Sequence, residues 1–405
     1  MSEEQSRSLA HDAWVPKLPA SGHGYIIINA KSNAEAIETR SKIGSARRNA
    51  NGNLLHKSAI GLAQKGAAQQ REIVMRLTTA ATAGFRVSRF ERMRLNLLPT
   101  MKMRSEWIDA TMLRDFEAEG TDAHRLCTID DGWVERFGRD ILISFKNAPT
   151  RERLTLELNL WGTAVGFKFG RIFIRFLPRK NEEREKPRLL FGSKEENLQT
   201  LVTERHLKFG IDFGSGYSVG LFVDQRENRS YVRKIAPKRL LNCFAYTCSF
   251  SVAATSVGAK TVNVDLSKKS LARGRENFSL NSLPSNDHQF IADDVFTVLP
   301  RLARKGEKFD AIILDPPTFS RSRRGKAFHV EHDFEKLLLL ALELTERDGC
   351  ILLSTNCSTL REHALEVMAR YCLKAARRAG KFHRQPPLPD FSPNMGASSI
   401  WLCLR

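Results

Sequence analysis

The sequence predicts an α/β protein built around a doubly wound, mostly parallel sheet. Two observations carry this prediction. Short apolar runs alternate with helix-like stretches from residue 239 to the C terminus, and carboxylates follow several of those runs at the point where a strand would end. With 405 residues, of which 42% are hydrophobic, the chain is long enough for two or three domains with a sizeable core.

Three zones of different composition divide the chain. Residues 1–121 are basic and rich in Ala, Asn and Ser, so we expect a partly disordered N-terminal region there. Residues 122–205 are predicted to form a small, strand-rich α+β subdomain, because "DILISF", "LTLELNL" and "RIFIRFL" (140–145, 154–160 and 171–177) alternate apolar and polar residues. Residues 206–405 carry the strand and helix alternation.

The third zone can be followed element by element. Strands are predicted at 239–244, 260–265, 288–293, 309–315, 350–355 and 398–405. Helices are predicted between them at 249–258, 267–283, 295–306 and 330–349, and a further helix begins near residue 359. We expect Ser267 to cap one helix, Pro300 to interrupt the next, and Thr359 and Glu362 to form a capping box. Repeated βαβ units of this kind build a parallel sheet with helices on both faces.

The charge balance favours a polyanionic partner. The formal net charge is +19, and residues 40–104 supply much of it, with 14 Lys and Arg against only Glu72 and Glu91. A basic stretch of this kind is typical of chains that bind nucleic acid, and we predict RNA as the partner.

Membrane, disulfide and metal chemistry are disfavoured. No run reaches the roughly 18 apolar residues that a membrane span needs. Seven cysteines in a long chain fit reduced thiols, so we expect a cytoplasmic protein. Two pairs of residues are spaced as metal ligands could be: Cys243 with Cys248, and His329 with His332. A metal site would need a second paired cysteine motif, and the sequence has none.

The turn after the first strand of the sheet indicates the kind of cofactor. It reads "NCFAYTCSFS" (242–251) and contains no glycine, whereas dinucleotide and P-loop sites need glycines to let the backbone approach phosphates. Asp265, Asp293 and Asp315 nevertheless follow three strands, where carboxylates can accept hydrogen bonds from a ribose or face a positive charge. Acidic groups without a phosphate loop suit S-adenosylmethionine. For Asp265 and for Asp294, helix capping is the alternative explanation.

The motifs "GLFVDQRENR" (220–229), "LLNCFAYTCSFSVAA" (240–254), "VNVDLSKKSLARGRENFSLN" (262–281) and "DAIILDPPTFSRS" (310–322) resemble class I S-adenosylmethionine-dependent methyltransferases that modify bacterial large-subunit ribosomal RNA. The resemblance implies a Rossmann-like catalytic domain preceded by a small strand-rich subdomain. It departs from the family at Cys248, where many relatives carry glycine, and in the N-terminal zone, which shows no clear match to the PUA domain of some relatives.

The same resemblance implies a set of cofactor-binding residues. Asp265 would bind the ribose, Asp293 would lie near the adenine, and the glycine-free loop would lie on the methionine side. The full set of implied cofactor-binding residues is Gln225, Arg226, Asn242, Tyr246, Thr247, Cys248, Asp265, Asp293 and Asp315.

A cysteine at the end of the fifth strand points to the reaction. Cys357 stands in "LLSTNCSTL" (352–360), and in relatives that methylate cytosine at carbon 5 a cysteine in a similar turn is the implied nucleophile. Carbon 5 is a poor nucleophile, so a thiolate must first add at carbon 6. Asp315 would then hydrogen-bond the base and Phe319 would stack on it. Cys357 as an inert core residue remains the alternative.

The loop after the fourth strand leaves two other functions open. "DPPTF" (315–319) also resembles motifs that present a nitrogen for methylation, so guanine or amino nitrogen methylation, with Asp315 and the Pro316 carbonyl positioning the base, is an alternative. A non-catalytic RNA-binding factor with the same fold is the other. In either case the loop would contact RNA through the pocket residue Pro316 and through cations that could hold flanking phosphates: Arg321, Arg323, Arg324 and Lys326.

Overall fold

The structure, a computed structural model, describes residues 103, 105–179, 182–193, 197–321, 327–392 and 395–405. All of them belong to one unit, Ala68–Arg405. Apart from residue 103, the basic stretch 40–104 lies outside the described residues, and so do Arg323, Arg324 and Lys326. The predictions made for them therefore stay predictions, as do the domain boundaries at residues 121 and 205.

Eight helices and sixteen strands are described. The helices are α1 (Ala110–Ala118), α2 (Ala148–Val165), α3 (Arg226–Ile235), α4 (Ser249–Thr255), α5 (Lys268–Leu280), α6 (Val295–Arg304), α7 (Val330–Leu344) and α8 (Glu362–Ala375). The strands are β1 (Ala123–Ile129), β2 (Gly132–Phe137), β3 (Asp140–Phe145), β4 (Ile172–Phe176), β5 (Arg188–Phe191), β6 (Gln199–Glu204), β7 (Leu207–Asp212), β8 (Arg239–Cys243), β9 (Lys260–Val264), β10 (Gln289–Ile291), β11 (Phe309–Leu314), β12 (Phe319–Arg321), β13 (Ala327–His329), β14 (Thr345–Thr355), β15 (Gly380–His383) and β16 (Ser398–Leu404).

A seven-stranded sheet confirms the predicted fold class. Its order is β10-β9-β8-β11-β14-β16-β15. The first five of these strands pair in parallel, whereas β16 runs antiparallel to β14 and to β15. The order reverses between β8 and β11, which is the point where a doubly wound sheet opens a crevice for a ligand.

Helices cover both faces of this sheet because its central strands are apolar on both sides. Along β11, Ile312 and Leu314 pack into a core shared with α6, α7 and α8. The intervening Ala311 and Ile313 pack with residues of α3 and α4 on the opposite face. Side chains alternate across a strand, so an unbroken apolar run is the pattern expected for a strand buried on both faces.

A second, five-stranded sheet precedes the large one, in the order β1-β2-β3-β4-β5, with α2 packed against β2 and β3. The predicted strands at 140–145 and 171–177 are present as β3 and β4. The predicted strand at 154–160 is wrong, because these residues lie inside α2. Asn147 caps that helix by accepting from the Thr150 amide, and Gly166 ends it in a left-handed conformation.

Buried ion pairs hold helix α3 against the strands that precede the large sheet. Asp390 accepts from the Arg226 guanidinium at 2.6 Å and from the Arg125 backbone amide in β1 at 2.9 Å. Glu204, in β6 of the separate two-stranded β6–β7 sheet, pairs with Arg229 of α3 at 2.5 Å. These groups are almost fully buried, and removing one partner of such a pair usually costs about 3–5 kcal/mol. The pairs hold the segment 220–229 in place beside the sheet edge.

Three local predictions for residues 206–405 are wrong. Helix α6 runs through Pro300 without interruption, because Val298, Leu299 and Leu302 anchor it in the core. Helix α8 begins after Arg361 with no side-chain cap, since Thr359 hydrogen-bonds elsewhere. Cys350 and Cys403, opposite each other on β14 and β16, are joined as a disulfide, whereas reduced thiols were expected.

Candidate active site

The register of the large sheet brings the predicted carboxylates to one edge. Val264, Cys243, Leu314 and Leu353 are paired across β9, β8, β11 and β14, so they lie at one level of the sheet. The residue that follows each strand therefore lies at the carboxyl edge. Asp265 and Asp315 are two of these residues, as expected from the sequence.

Asp315 lies in a network of polar side chains at this edge. Gln225 donates from its Nε2 to the Ser354 hydroxyl at 2.7 Å and approaches the Asp315 carboxylate at 3.5 Å. Burial, with a smaller contribution from the neighbouring carboxyl of Asp224, raises the pKa of Asp315 from 3.8 to about 6. Burial also raises the pKa of Asp224. Two carboxyl groups that resist ionisation together favour a ligand that carries a positive charge.

This raised pKa predicts a gain in stability for Asp315→Asn. The folded protein holds the Asp315 proton more tightly than the unfolded chain does, so the folded state loses stability as the pH rises from about 4 to about 6. Above pH 6 the cost is fully present. In urea unfolding we expect the variant to be about 1–3 kcal/mol more stable than wild type at pH 7.5, with a smaller gain at pH 5. A gain independent of pH would contradict a raised pKa.

The glycine-free turn adopts the backbone that glycine normally provides. Phe244, Tyr246 and Cys248 all have positive φ, at 58°, 47° and 59°. Such conformations are unfavourable for residues with a side chain and persist where the surrounding structure imposes them, often at functional sites. Cys248, the departure from the family pattern, therefore keeps the left-handed backbone at the start of α4.

Gly274 in α5 makes room for the Cys248 side chain. A Cβ atom at position 274 would lie 2.5 Å from the Cys248 Sγ and 3.1 Å from its Cβ. We expect Gly274→Ala to destabilise the protein by about 1–3 kcal/mol in urea unfolding, because the buried turn cannot move away without strain. Adding Cys248→Gly should recover most of this loss, because the clashing sulfur is gone. Equal losses in the single and double variants would show that the contact is not the cause.

Asp265 hydrogen-bonds the backbone of the glycine-free turn and also lies at the carboxyl edge of the large sheet. Its carboxylate accepts from the Tyr246 amide at 2.8 Å and from the Ser267 amide at 2.8 Å. Burial raises its pKa, while these two hydrogen bonds oppose the shift. Asp294 is the N-cap of α6, as the capping alternative predicts, and Asp293 lies beside it in a half-exposed ion pair with Arg301 at 3.8 Å.

A cleft opens beside Leu266 and Asp294, the residues that follow Asp265 and Asp293. Its walls include residues that immediately follow those predicted to bind the cofactor, together with residues of the glycine-free turn and of the β12–β13 hairpin. The sequence prediction missed most of these residues, although their positions after strand-end carboxylates were a signal. The lining residues are Phe244, Leu266, Asp294, Val295, Phe296, Ser320, Ala327, Phe328, Asp333 and Lys336.

Several predicted cofactor residues use their side chains inside the protein. Asn242 donates to the Ser251 hydroxyl at 3.0 Å, and Thr247 donates to the Gly220 carbonyl at 2.6 Å. The Tyr246 hydroxyl donates to the Ser218 carbonyl at 2.9 Å. For Asn242 and Thr247, both fully buried, contact with a ligand is left to the backbone.

The prediction for Arg226 needs correction. Its guanidinium is 1% exposed and binds Asp390, and it lies 4.7 Å from the centre of the Phe116 ring. The Asp390 carboxylate and the Phe116 ring both contact the Arg226 guanidinium. At 1% exposure, the side chain has no accessible face for a cofactor. Arg226 belongs to the contact between α3 and the strands that precede the large sheet.

Cys357 lies in the turn after β14. The residue is 6% exposed, and its sulfur lies 3.0 Å from the Thr359 hydroxyl oxygen and 3.7 Å from the Glu331 carboxylate. The sequence prediction did not identify Glu331 or assign Thr359 to this cluster.

Phe319 lies in β12 and is half exposed, with its ring 4.9 Å from that of His329. Pro316 is buried, and the backbone of Arg321 completes β12.

Within the described residues, membrane-spanning helices and metal-binding clusters are both absent. No helix there is both long and apolar enough to cross a bilayer. Nor do three His, Cys, Asp or Glu side chains come together as metal ligands anywhere in residues 105–179, 182–193, 197–321, 327–392 or 395–405.

Curated relatives match about two fifths to two thirds of the chain. "Ribosomal RNA large subunit methyltransferase I" of Aeromonas salmonicida is 40% identical over 183 residues, 44% of this chain and 46% of that protein. The protein with the same name in Aeromonas hydrophila is 36% identical over 276 residues, 64% of this chain and 68% of that protein. Relative to the first of these, the chain spans about half of the curated protein's length.

Solved structures share the fold over a longer stretch. A protein assigned as a methyltransferase and crystallised in complex with SAH superimposes with a TM-score of 0.63 at 26% identity, covering 73% of this chain and 79% of that chain. A protein from Streptococcus mutans assigned as a SAM-dependent methyltransferase gives a TM-score of 0.61 at 25% identity, covering 73% and 78%.

A family model described as S-adenosylmethionine-dependent methyltransferase matches residues 178–403, more than half of the chain. The match includes the large sheet, the glycine-free turn, Asp265, Asp315 and Cys357. Together with the Aeromonas relatives and the sheet order, it establishes that the chain belongs to the S-adenosylmethionine-dependent methyltransferase family.

Proposed function

We propose that this protein methylates carbon 5 of a cytosine in large-subunit ribosomal RNA. The observation that carries the proposal is Cys357, a thiol held in the turn after β14, the strand next to β11 and its Asp315. The names of the Aeromonas relatives support ribosomal RNA as the substrate. Ribosomal RNA as the substrate would place the reaction in the cytoplasm.

The residues at the sheet edge fit S-adenosylmethionine. The cleft offers the aromatic rings of Phe244 and Phe296 to an adenine. Asp265, beside it, is placed to accept from ribose hydroxyls. Burial raises the pKa of Asp224, Asp265 and Asp315, so a sulfonium nearby would relieve an unfavourable concentration of carboxyl groups. When bound, S-adenosylmethionine supplies an electrophilic methyl group.

The protein's own side chains would prepare the base for that methyl group. The Cys357 thiolate adds to carbon 6 of the cytosine, which makes carbon 5 nucleophilic. Asp315, with a pKa near 6, can hold the N3 and N4 edge of the ring through hydrogen bonds. Phe319, half exposed beside the same loop, would stack on the displaced base.

Nitrogen methylation is the second candidate, because the sequence Asp315-Pro316-Pro317 that follows β11 also resembles motifs that hold an amino nitrogen in place for methylation. In that case no covalent adduct forms and Cys357 is a core residue. The Arg321, Arg323, Arg324 and Lys326 side chains would serve either reaction by holding phosphates near the target.

Nucleoside mapping of ribosomal RNA tests the proposal. RNA from cells with and without the gene, digested and analysed by mass spectrometry, should differ by one 5-methylcytosine, which purified protein and S-adenosylmethionine should restore. A missing methylguanosine or methyladenosine would support nitrogen methylation. Binding of RNA and cofactor without any transfer would support a non-catalytic role.

A further inference from the structure

The cluster around the Cys357 thiol contains a carboxylate that the steps above do not use. The Glu331 Oε1 atom lies 3.7 Å from the Cys357 Sγ atom. The Thr359 Oγ1 atom lies 3.0 Å from the same sulfur, and its hydroxyl donates to Glu331. The thiol is therefore in contact with both groups although it is almost inaccessible to water.

The direction of these hydrogen bonds follows from the number of protons. A threonine hydroxyl carries one proton and two lone pairs. Because Thr359 donates its proton to Glu331, only its lone pairs face Cys357, so the thiol is the donor in this cluster, either to the Glu331 carboxylate or to Thr359. The three groups form a chain in which a proton can leave the sulfur while the hydroxyl proton moves to the carboxylate.

The fold brings the chain together from two neighbouring strands. After β11, the hairpin of β12 and β13 pairs Phe319 with His329, and the Val330 amide donates to the Thr318 carbonyl at 3.2 Å. Helix α7 begins there, with Glu331 in its first turn. On the other side, the Cys357 amide donates to the Thr355 hydroxyl at 3.1 Å and so fixes the turn after β14.

We propose that Glu331 is the base that removes the Cys357 thiol proton, directly or through Thr359. This inference rests on the proposed function. The S–H bond breaks and an O–H bond forms on the Glu331 carboxylate. The sulfur electron pair forms the bond to carbon 6 of the cytosine, and the electrons of the ring double bond move toward carbon 5. Glu331 lies on the exposed face of α7, so its proton then passes to water.

The proton transfer has to be coupled to bond formation. Thiols are in general weaker acids than carboxylic acids, so proton transfer from a thiol to a carboxylate is unfavourable by itself. Addition to carbon 6 consumes the thiolate as it forms, which makes the combined step favourable. General bases placed in this way typically accelerate a step by about 10²–10⁴-fold.

Glu331→Gln is the direct test. Glutamine keeps the shape of the side chain and an oxygen that accepts from Thr359, but it is not a base. In single-turnover reactions with saturating RNA and S-adenosylmethionine we expect the rate to fall by about 10²–10³-fold, with unchanged cofactor affinity. Glu335→Gln is the matched control, because Glu335 is exposed one turn further along α7 and should leave the rate unchanged.

A second readout needs no methyl donor. Reversible addition of Cys357 to carbon 6 allows carbon 5 of the cytosine to exchange its hydrogen for deuterium in heavy water. The rate of deuterium uptake by the RNA should fall in Glu331→Gln and in Thr359→Val, and Thr359→Ser should restore it. Sodium formate should accelerate Glu331→Ala, and sodium chloride at the same ionic strength should not. A purely structural contact predicts no formate rescue.

The outcomes separate this inference from the function on which it rests. If wild-type protein forms 5-methylcytosine through Cys357 but Glu331→Gln reacts and exchanges at the wild-type rate, the role of Glu331 is overturned and the function stands. If Cys357→Ser still transfers methyl groups, or if the product is not 5-methylcytosine, the proposed function itself fails.

Discussion

Replacing Cys357 with serine is expected to abolish methyl transfer to RNA, lowering the turnover rate by several orders of magnitude. Serine is nearly isosteric with cysteine, and its hydroxyl can still hydrogen-bond Thr359, so the turn after β14 should keep its shape. Its hydroxyl is, however, a far weaker nucleophile than a thiol at neutral pH. Turnover is measured with a radiolabelled methyl donor and should be lost. The affinity for S-adenosylmethionine is measured by calorimetry and should be unchanged.

Cys372→Ser provides the matched control for this experiment. Cys372 is another buried free cysteine, in α8, whose thiol donates to a backbone carbonyl. Its replacement changes stability without touching the sheet edge, so turnover should persist. Wild-type protein should also form a stable adduct with RNA that contains 5-fluorocytosine, because the fluorine blocks release of the ring. Near wild-type turnover in Cys357→Ser would exclude carbon-5 chemistry through this residue.

Replacing Asp265 with alanine is expected to weaken S-adenosylmethionine binding by about 30- to 1,000-fold, or 2–4 kcal/mol. Two effects combine. The carboxylate that would accept from the ribose hydroxyls is lost, and the amides of Tyr246 and Ser267 lose the acceptor that holds the strained turn. Isothermal calorimetry measures the dissociation constant, and thermal unfolding without ligand measures the cost to the fold.

Asp310→Ala separates these effects from a general loss of stability. Asp310 also accepts two backbone hydrogen bonds, from Lys238 at 2.7 Å and from Arg239 at 2.6 Å, but it does so at the opposite edge of the same sheet. We expect it to lower the melting temperature and to leave cofactor affinity unchanged. If Asp265→Ala bound S-adenosylmethionine as tightly as wild type, the assignment of Asp265 to the cofactor would be withdrawn.

The catalytic half of this protein could be predicted closely from sequence because its signals are local. The apolar run of β11, the Ser267 cap of α5 and the strand-end positions of Asp265 and Asp315 depend on neighbouring residues and on the periodicity of strands and helices. The absence of glycine in the turn 242–248 pointed in the same way to a ligand without phosphates. The positive φ angles of that turn could not be predicted, since Phe, Tyr and Cys avoid them in isolation.

Distant contacts decided the rest. Residues 154–160 alternate like a strand, yet their Asn147 and Gly166 caps and their packing under β2 and β3 make them helical. Arg226, predicted to bind the cofactor, pairs with Asp390, which lies 164 residues away along the chain. Cys357 was identified from sequence, whereas Glu331 was not. A carboxylate in the first turn of a helix is usually explained by its favourable interaction with the helix dipole. The contact of Glu331 with the thiol exists because β11 and β14 are neighbours in the folded sheet, and strand order is a property of the tertiary structure.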